Sequence, residues 1–501
     1  MSLLGIDVGI SGCKAVAFDL DGHTLGQAYR EYHLYQPQPG WMELDPAEVW
    51  AAVSGVVREV AAAVGADKVT ALAVSTHGES VVPVDAAGEP IYRFITAIDT
   101  RAVSQMQWWE EKLGAERLFA ITGMPPHPMY TANKLMWLRE YDPPVFHKAT
   151  RFLCMADFLF TRMGLPPTMD HSLASRTMLQ DIRTRTWDAG MLALAGLDVE
   201  RLSRTVPSGT LLGEIAPHVA AELGLAAGAV AVTGGHDHCC GSLGVGATSE
   251  GMVMDSTGTV ECVTATMKKL VLDQNLLRSN LPVEPHTVAG MYLVLGWSSV
   301  GGALLKWYRD TFARAEVAEA ERNGRSAYDV ILGEAVEGPS PVLILPHFVG
   351  SGTPALDPHS KGAILGLTLS TTRGQIVKAI IDSVTYEIKL SIDAMEAAGL
   401  VINELRAMGG GAKSALWLQT KADILGKPVR AMDVSEAPCL GCALLAGVAA
   451  GLYASTDEAV ARAVRVNRTY EPNPKLQPQY AEKAVLYADV YPTLAGLNHR
   501  M

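Results

Sequence analysis

Residues 3–19 read LLGIDVGISGCKAVAFD: an apolar strand with an acid near its end, a turn of Gly and Ser, and a second apolar strand that stops at another turn. Half a chain further on, residues 251–266 read GMVMDSTGTVECVTAT and repeat that grammar. Asp255 stands in the place of Asp7 and Gly258 in the place of Gly9, with the second turn one residue longer. A pattern that recurs at this distance predicts two related domains facing each other across a cleft, where ligands prefer to bind. The Gly-rich stretch 244–251 is the expected boundary, giving domains of residues 1–245 and 246–501.

Outward from the two turns, strands alternate with helical patterns, as in α/β layers. Residues 66–76, ADKVTALAVST, read as a strand, and residues 45–65 as a helix with Asp45 as N-cap and Gly65 as stop. In the second half, residues 371–399 put Ile376, Ile380, Val384, Ile388 and Ile392 on one helical face. A chain of 501 residues, 49% apolar, is too long for one core, since cores stop growing beyond about 250–300 residues.

The 41 basic and 53 acidic residues give a formal charge of −12, which disfavours a nucleic-acid partner. No signal-peptide pattern opens the chain, and seven scattered cysteines do not read as a disulfide framework, so a cytoplasmic protein is expected. Residues 437–456 carry no charge, yet their Ala and Gly content reads as a buried, tightly packed helix and not as a membrane span.

Phosphoryl transfer needs a metal anchor, N–H donors for phosphates and a base near the acceptor hydroxyl. Asp7 is followed by Gly9, Ser11, Gly12 and Lys14, a turn that lets backbone approach a phosphate while the carboxylate holds Mg²⁺ directly or through water. Taken singly it is an ordinary hairpin, but its echo at Asp255, Thr257, Gly258 and Thr259 suits a triphosphate gripped from both sides. Residues 234–244, GGHDHCCGSLG, follow an apolar strand and offer Asp237 as a base, with a helix N-cap as the bland alternative. A metal site of His236, His238, Cys239 and Cys240 is the sharper alternative, disfavoured because adjacent residues do not easily point at one ion. Residues 406–426 read as a strand, a triple-glycine turn and a helix ending at Gly426, suited to phosphate or a flat base, but without Walker A spacing. Two further motifs read as structure. In residues 18–25, FDLDGHTL, Asp19 resembles a phosphatase nucleophile, but Asp21-Gly22 between apolar runs is a hairpin turn. Cys439 and Cys442 have a redox spacing inside an Ala/Gly helix, where packing is the better reading.

Together and in this order, the segments resemble the FGGY carbohydrate kinases from about residue 3 to about residue 455. The set comprises the first phosphate turn, GWMELDPAEVW, STHGESVVPVD, IDTRA, NKLMWLRE, GGHDH, DSTGT, GWSSVGGALLKWYRD, PHFVGSGTPALDPHSKGAILGLT and GGGAKSALWLQTKADILGKPV. The resemblance implies a duplicated actin-like and hexokinase-like (ribonuclease H-like) α/β fold and an ATP-dependent, Mg²⁺-using sugar kinase. It makes Asp237 the catalytic base and, with Asp7, a metal-side carboxylate. Ser11, Gly12, Lys14, Thr257, Gly258 and Thr259 fall on the phosphates, and Gly410, Gly411 and Ala412 beside the adenosine. His77, Glu79, Asp99, Arg101 and His238 form the implied sugar shell. His77-Gly78 is xylulokinase-like while Glu79 is glycerol kinase-like, so a ketose, with D-xylulose first, is expected over a polyol. Ile10 stands where Thr is usual, His236 and His238 where Gly and Gln or Asn are common, and Met129 where glycerol kinases have an aromatic residue. A homodimer is left open. The competing readings are a phosphatase using Asp19 and a non-catalytic actin-like nucleotide-binding protein.

Overall fold

The computed structural model describes residues 2–501. Six strands form a first mixed sheet: β1 (Ser2–Val8), β2 (Gly12–Phe18), β3 (Thr24–Glu31), β4 (Val69–Thr76), β5 (Leu211–Glu214) and β6 (Val230–His236), in the order β5-β6-β4-β1-β2-β3. Seven form a second: β7 (Met252–Thr257), β8 (Glu261–Met267), β9 (Val283–Pro285), β10 (Tyr292–Ser298), β11 (Glu404–Met408), β12 (Val429–Met432) and β13 (Val466–Tyr470), ordered β9-β10-β8-β7-β11-β12-β13. In each sheet three strands meander antiparallel, two follow in parallel from the first of them, and a last one turns back antiparallel. This is the duplicated ribonuclease H-like architecture, with β9 as an addition at one edge. The register carries the one-residue difference between the turns: Asp7 faces Lys14, whereas Asp255 faces Val263.

Leu4, Ile6 and Val8 share one fully buried face of β1 and Leu3 is buried on the other, so the strand is covered on both faces and runs apolar without strict alternation. The sequence-marked helices form where expected. Helix α1 (Pro46–Val64) is capped by Asp45, whose carboxylate accepts from Ala47 N at 2.9 Å, and stops at Gly65. The long helix α3 (Arg373–Ala397) begins with a capping box of Thr372 and Gln375. Between them in sequence, α2 (Asp237–Gly244) follows β6; beyond α3, α4 (Ala415–Leu425) follows the triple-glycine turn and ends at Gly426 in the left-handed conformation. Asp19 closes the turn between β2 and β3, accepting from Asp21 N at 2.9 Å and His23 N at 2.8 Å.

The uncharged stretch forms helix α5 (Ala437–Ala449), and among the described residues no helix is long and apolar enough to cross a membrane. Although it comes from the second half of the chain, α5 packs Cys439, Leu440, Ala443 and Leu444 against Leu3, Val16, Ala73 and Val232 of the first sheet. It also crosses α2, its counterpart after β6, at backbone contact: a Cβ on Gly441 would lie 2.0 Å from the carbonyl of Cys240, and one on Gly5 would lie 1.8 Å from that of Cys439. Small residues were therefore required here by helix-to-helix and helix-to-sheet approach, and Cys442 packs 3.7 Å from Cys240 as a free thiol.

Two outcomes follow. Gly441→Ala overpacks this crossing and should cost about 1–3 kcal/mol, lowering the thermal midpoint, whereas Gly496→Ala, with open space at its Cβ, should not lower it. His286, after β9, is buried with Nε2 3.1 Å from the Ala247 carbonyl and Nδ1 accepting from Val288 N, and burial pushes it down to about 4. A depressed folded value means stability present above the ordinary 6.5 and lost as pH falls toward 4, about 2 kcal/mol of it by pH 5. His286→Gln should flatten that part of the thermal midpoint against pH.

Candidate active site

Asp237 sits at the first turn of α2, one residue past the end of β6. It does not cap the helix; His236 occupies the cap position, and 26% of the Asp237 side chain is exposed. Its Oδ1 accepts from His238 N at 2.7 Å and lies 2.6 Å from His238 Nδ1 and 3.2 Å from His236 Nε2. Burial alone would raise this carboxyl, but His238 and then His236 outweigh it and hold Asp237 well below the usual carboxylate range. The same pair acts on His238: burial pulls it down, and Asp237, with the Cys262 thiol, holds it well above the usual imidazole range. The four-residue metal set does not assemble, since Cys240 turns toward Cys442. The donor atoms of His236, Cys239 and Glu284 gather instead within 4.8 Å of one another.

Asp7 lies at the end of β1, where Ser75 of β4 donates to its Oδ1 at 2.9 Å. Burial, then the nearby Asp237 charge, push the Asp7 carboxyl up to about 7, and Ser75 and Lys14 offset this only in part. Two carboxylates that raise each other's energy at a cleft, with hard oxygen donors, fit a Mg²⁺ ion. Lys14 reaches Glu436 at 2.6 Å across the cleft, Ser11 is exposed at the turn, and Gly12 is pressed against the Arg30 carbonyl. Tyr32, which no motif marked, donates to the Gly9 and Gly12 carbonyls and holds the turn closed.

The sugar-side residues fall into two groups. His77 uses both ring nitrogens internally, 3.0 Å from the Val8 carbonyl and 2.5 Å from Ser80 Oγ, and thereby ties its segment to the Asp7 strand. Glu79, at φ 67°, pairs with Arg176, whose Nε donates to it at 2.5 Å, and the Glu79 carbonyl accepts from the buried Lys134 at 2.9 Å. Arg176 lies over the Tyr130 ring, with Nη2 3.8 Å from Met129 Sδ, so Met129 occupies this wall where an aromatic residue is the alternative. Asp99 and Arg101 are closed off: Arg101 Nη2 donates to Asp99 and Glu43 at 2.8 Å each, and its guanidinium stacks 3.9 Å from Trp41. Their side chains are 0% and 1% exposed and are spent on each other and on Glu43.

The second turn lines a cavity of about 690 Å³ that brings Gly258 and Thr259 together with Gly410 and Gly411. Tyr328 and Trp417 complete it, and Ala412 lines the neighbouring cavity instead. The glycines are tight on the turn side: a Cβ on Gly411 would stand 2.5 Å from Thr257 Cγ2, and Gly302 N donates to the Gly258 carbonyl at 2.8 Å. Flat walls and close-packed glycine turns fit a nucleotide. Asp255 does not repeat the role open to Asp7, because Lys421 of α4 sits 2.5 Å from it, 2.6 Å from Thr257 Oγ1 and 3.0 Å from Glu261.

Comparison with known proteins agrees with this architecture. Residues 2–244 match the N-terminal domain of the FGGY family of carbohydrate kinases, and residues 253–450 match its C-terminal domain. The autoinducer-2 kinase of Yersinia enterocolitica is 29% identical over 508 residues, covering 98% of this chain and 94% of its own. A xylulose kinase from Rhodospirillum rubrum superposes with a TM-score of 0.89 at 25% identity, covering 100% of both chains. The ligand-bound xylulose kinase from Lactobacillus acidophilus has the same fold, with a TM-score of 0.90 at 24% identity over 99% of this chain and 98% of its own.

Since a side chain at Gly411 must displace the Thr257 turn, Gly411→Ala should weaken nucleotide binding by about tenfold or more while leaving sugar binding intact. Calorimetric titration with ATP and with acceptor sugar measures the two separately.

Proposed function

Because the chain belongs to the FGGY family of carbohydrate kinases, and is thus a sugar kinase, we propose that it transfers the γ-phosphoryl group of ATP to a primary hydroxyl of a small ketose, with Asp237 as the base. The observation that carries this reading is the state of the Asp237 carboxylate. Its Oδ1 is engaged by His238 and His236, which leaves Oδ2 for the acceptor hydroxyl in the cleft. A carboxylate held so far below its usual range is a weak base, so it first orients the hydroxyl and takes the proton only as the oxygen bonds to phosphorus and the bond to ADP breaks. Mg²⁺, held by Asp7 directly or through water and by Asp237, would neutralise phosphate charge.

In this reading residues 1–245 carry the sugar and the base, and residues 246–501 the nucleotide. Ser11, Gly12 and Lys14 meet the phosphates from one side and Thr257, Gly258 and Thr259 from the other, with Ile10 supplying no hydroxyl. Gly410 and Gly411 bound the adenosine between Tyr328 and Trp417. Arg176 and Glu79, Met129 and Tyr130 shape the sugar wall, while His77 holds the first turn against it. D-Xylulose is the first acceptor to test. Autoinducer-2 is a second reading, favoured by the curated relatives, which are autoinducer-2 kinases.

Asp237→Asn should keep ATP and sugar binding and lose turnover by about a hundredfold or more; near-normal turnover would refute the base. A panel of pentuloses, hexuloses, polyols and autoinducer-2 with coupled ADP detection identifies the acceptor. ATP binding without any phosphorylated product would favour a nucleotide-binding protein that is not a kinase.

A further inference from the structure

Strand β9 is an edge strand of the second sheet, yet its residues grip the segment that bears Asp237. Both Glu284 carboxylate oxygens lie 3.1 Å from Nδ1 of His236. The Cys239 thiol points at the Pro285 carbonyl at 3.6 Å, and Thr287 Oγ1 donates to the Cys239 carbonyl at 3.1 Å. Glu284 is fully buried and His236 is 4% exposed, so this carboxylate is tolerable only because it is paired. Burial would raise Glu284, and His236 followed by Arg176 outweighs it. His236 is held from a third side by its backbone N–H, which donates to Ser172 Oγ at 2.9 Å. Its ring is thus held between two carboxylates, with Nδ1 3.1 Å from Glu284 and Nε2 3.2 Å from Asp237 Oδ1.

We infer that Glu284 and His236 form a positioning pair for the base: Glu284 orients the imidazole, and the imidazole holds Oδ1 of Asp237 so that Oδ2 is presented to the acceptor hydroxyl. Neither residue exchanges a proton with substrate. Because Glu284 comes from the second sheet, the half that carries the nucleotide cavity also sets the aim of the base in the other half. A plain buried ion pair would explain the Glu284–His236 contact but not why the far side of the same ring faces the base. The inference rests on Asp237 acting as base.

The test is steady-state kinetics with MgATP and D-xylulose, or the best acceptor of the panel, for Glu284→Gln, Glu284→Asp, His236→Gln and the Glu284→Gln/His236→Gln double variant, beside Asp237→Asn. A carboxylate misplaced by a fraction of an ångström should lower kcat by about tenfold to a hundredfold in each Gln variant, with both KM values within about twofold. Glu284→Asp should recover part of kcat, and the double variant should be no worse than the poorer single, since both act through one contact. Unchanged kcat in the Gln variants, losses confined to KM, or multiplying losses in the double would overturn the pair. If Glu284→Gln fails to fold, as read from its thermal midpoint, kcat of His236→Gln and Glu284→Asp decides the matter. An active Asp237→Asn would instead sink the base assignment itself, which separates the two failures.

Discussion

The crossing of α2 and α5 is the contact on which the rest of the molecule depends. Each helix follows the equivalent strand of its own sheet, β6 or β12, and the two meet backbone to backbone between the halves. A backbone-to-backbone contact cannot slide without losing its dispersion energy at once, so it fixes how the two sheets face each other. Asp237 opens α2, and Glu436, which pairs with Lys14 of the first phosphate turn, directly precedes α5. Asp237 and the Lys14–Glu436 contact are therefore registered by the same packing that joins the halves.

Duplication gave the chain two similar turns, and electrostatics made them different. In the first half Asp7 lies beside Asp237, without a cation close enough to neutralise it, and is pushed up to about 7. In the second, Lys421 is buried against Asp255 and Glu261 and bonded to Thr257, which turns the equivalent acid into a brace for the turn. Glu261 is raised to about 8 by burial, which Lys421 only partly counters. The turn that keeps an uncompensated carboxylate suits a metal, and the turn that loses it suits rigid N–H donors.

The buried ion pairs around Asp99 and Glu79 show a parallel division. Asp99 and Arg101 are spent on each other, on Glu43 and on Tyr92, while Arg176 meets Glu79 through Nε and Nη2 and the Met124 and Met129 sulfurs through Nη1 and Nη2.

The sequence by itself determined the duplicated α/β architecture, the strands and helices around both turns, and Asp237 as the acid at a strand end. These are legible because period, caps and glycine turns are local properties, as with Asp45 and Gly65 at the ends of α1. The triple-glycine turn and the uncharged helix at 437–449 were legible for the same reason. The partners were set in three dimensions alone: Glu284 on His236, Arg176 on Glu79, Lys421 on Asp255, and Tyr328 with Trp417 around the cavity beside Gly258 and Gly411. Those pairs join residues between 48 and 166 positions apart, and although local patterns mark His236, Glu79 and Asp255, none singles out the partner that each of them meets. A buried charge must find its counter-charge wherever the chain returns, so the choice is made by packing in three dimensions and not by spacing along the chain.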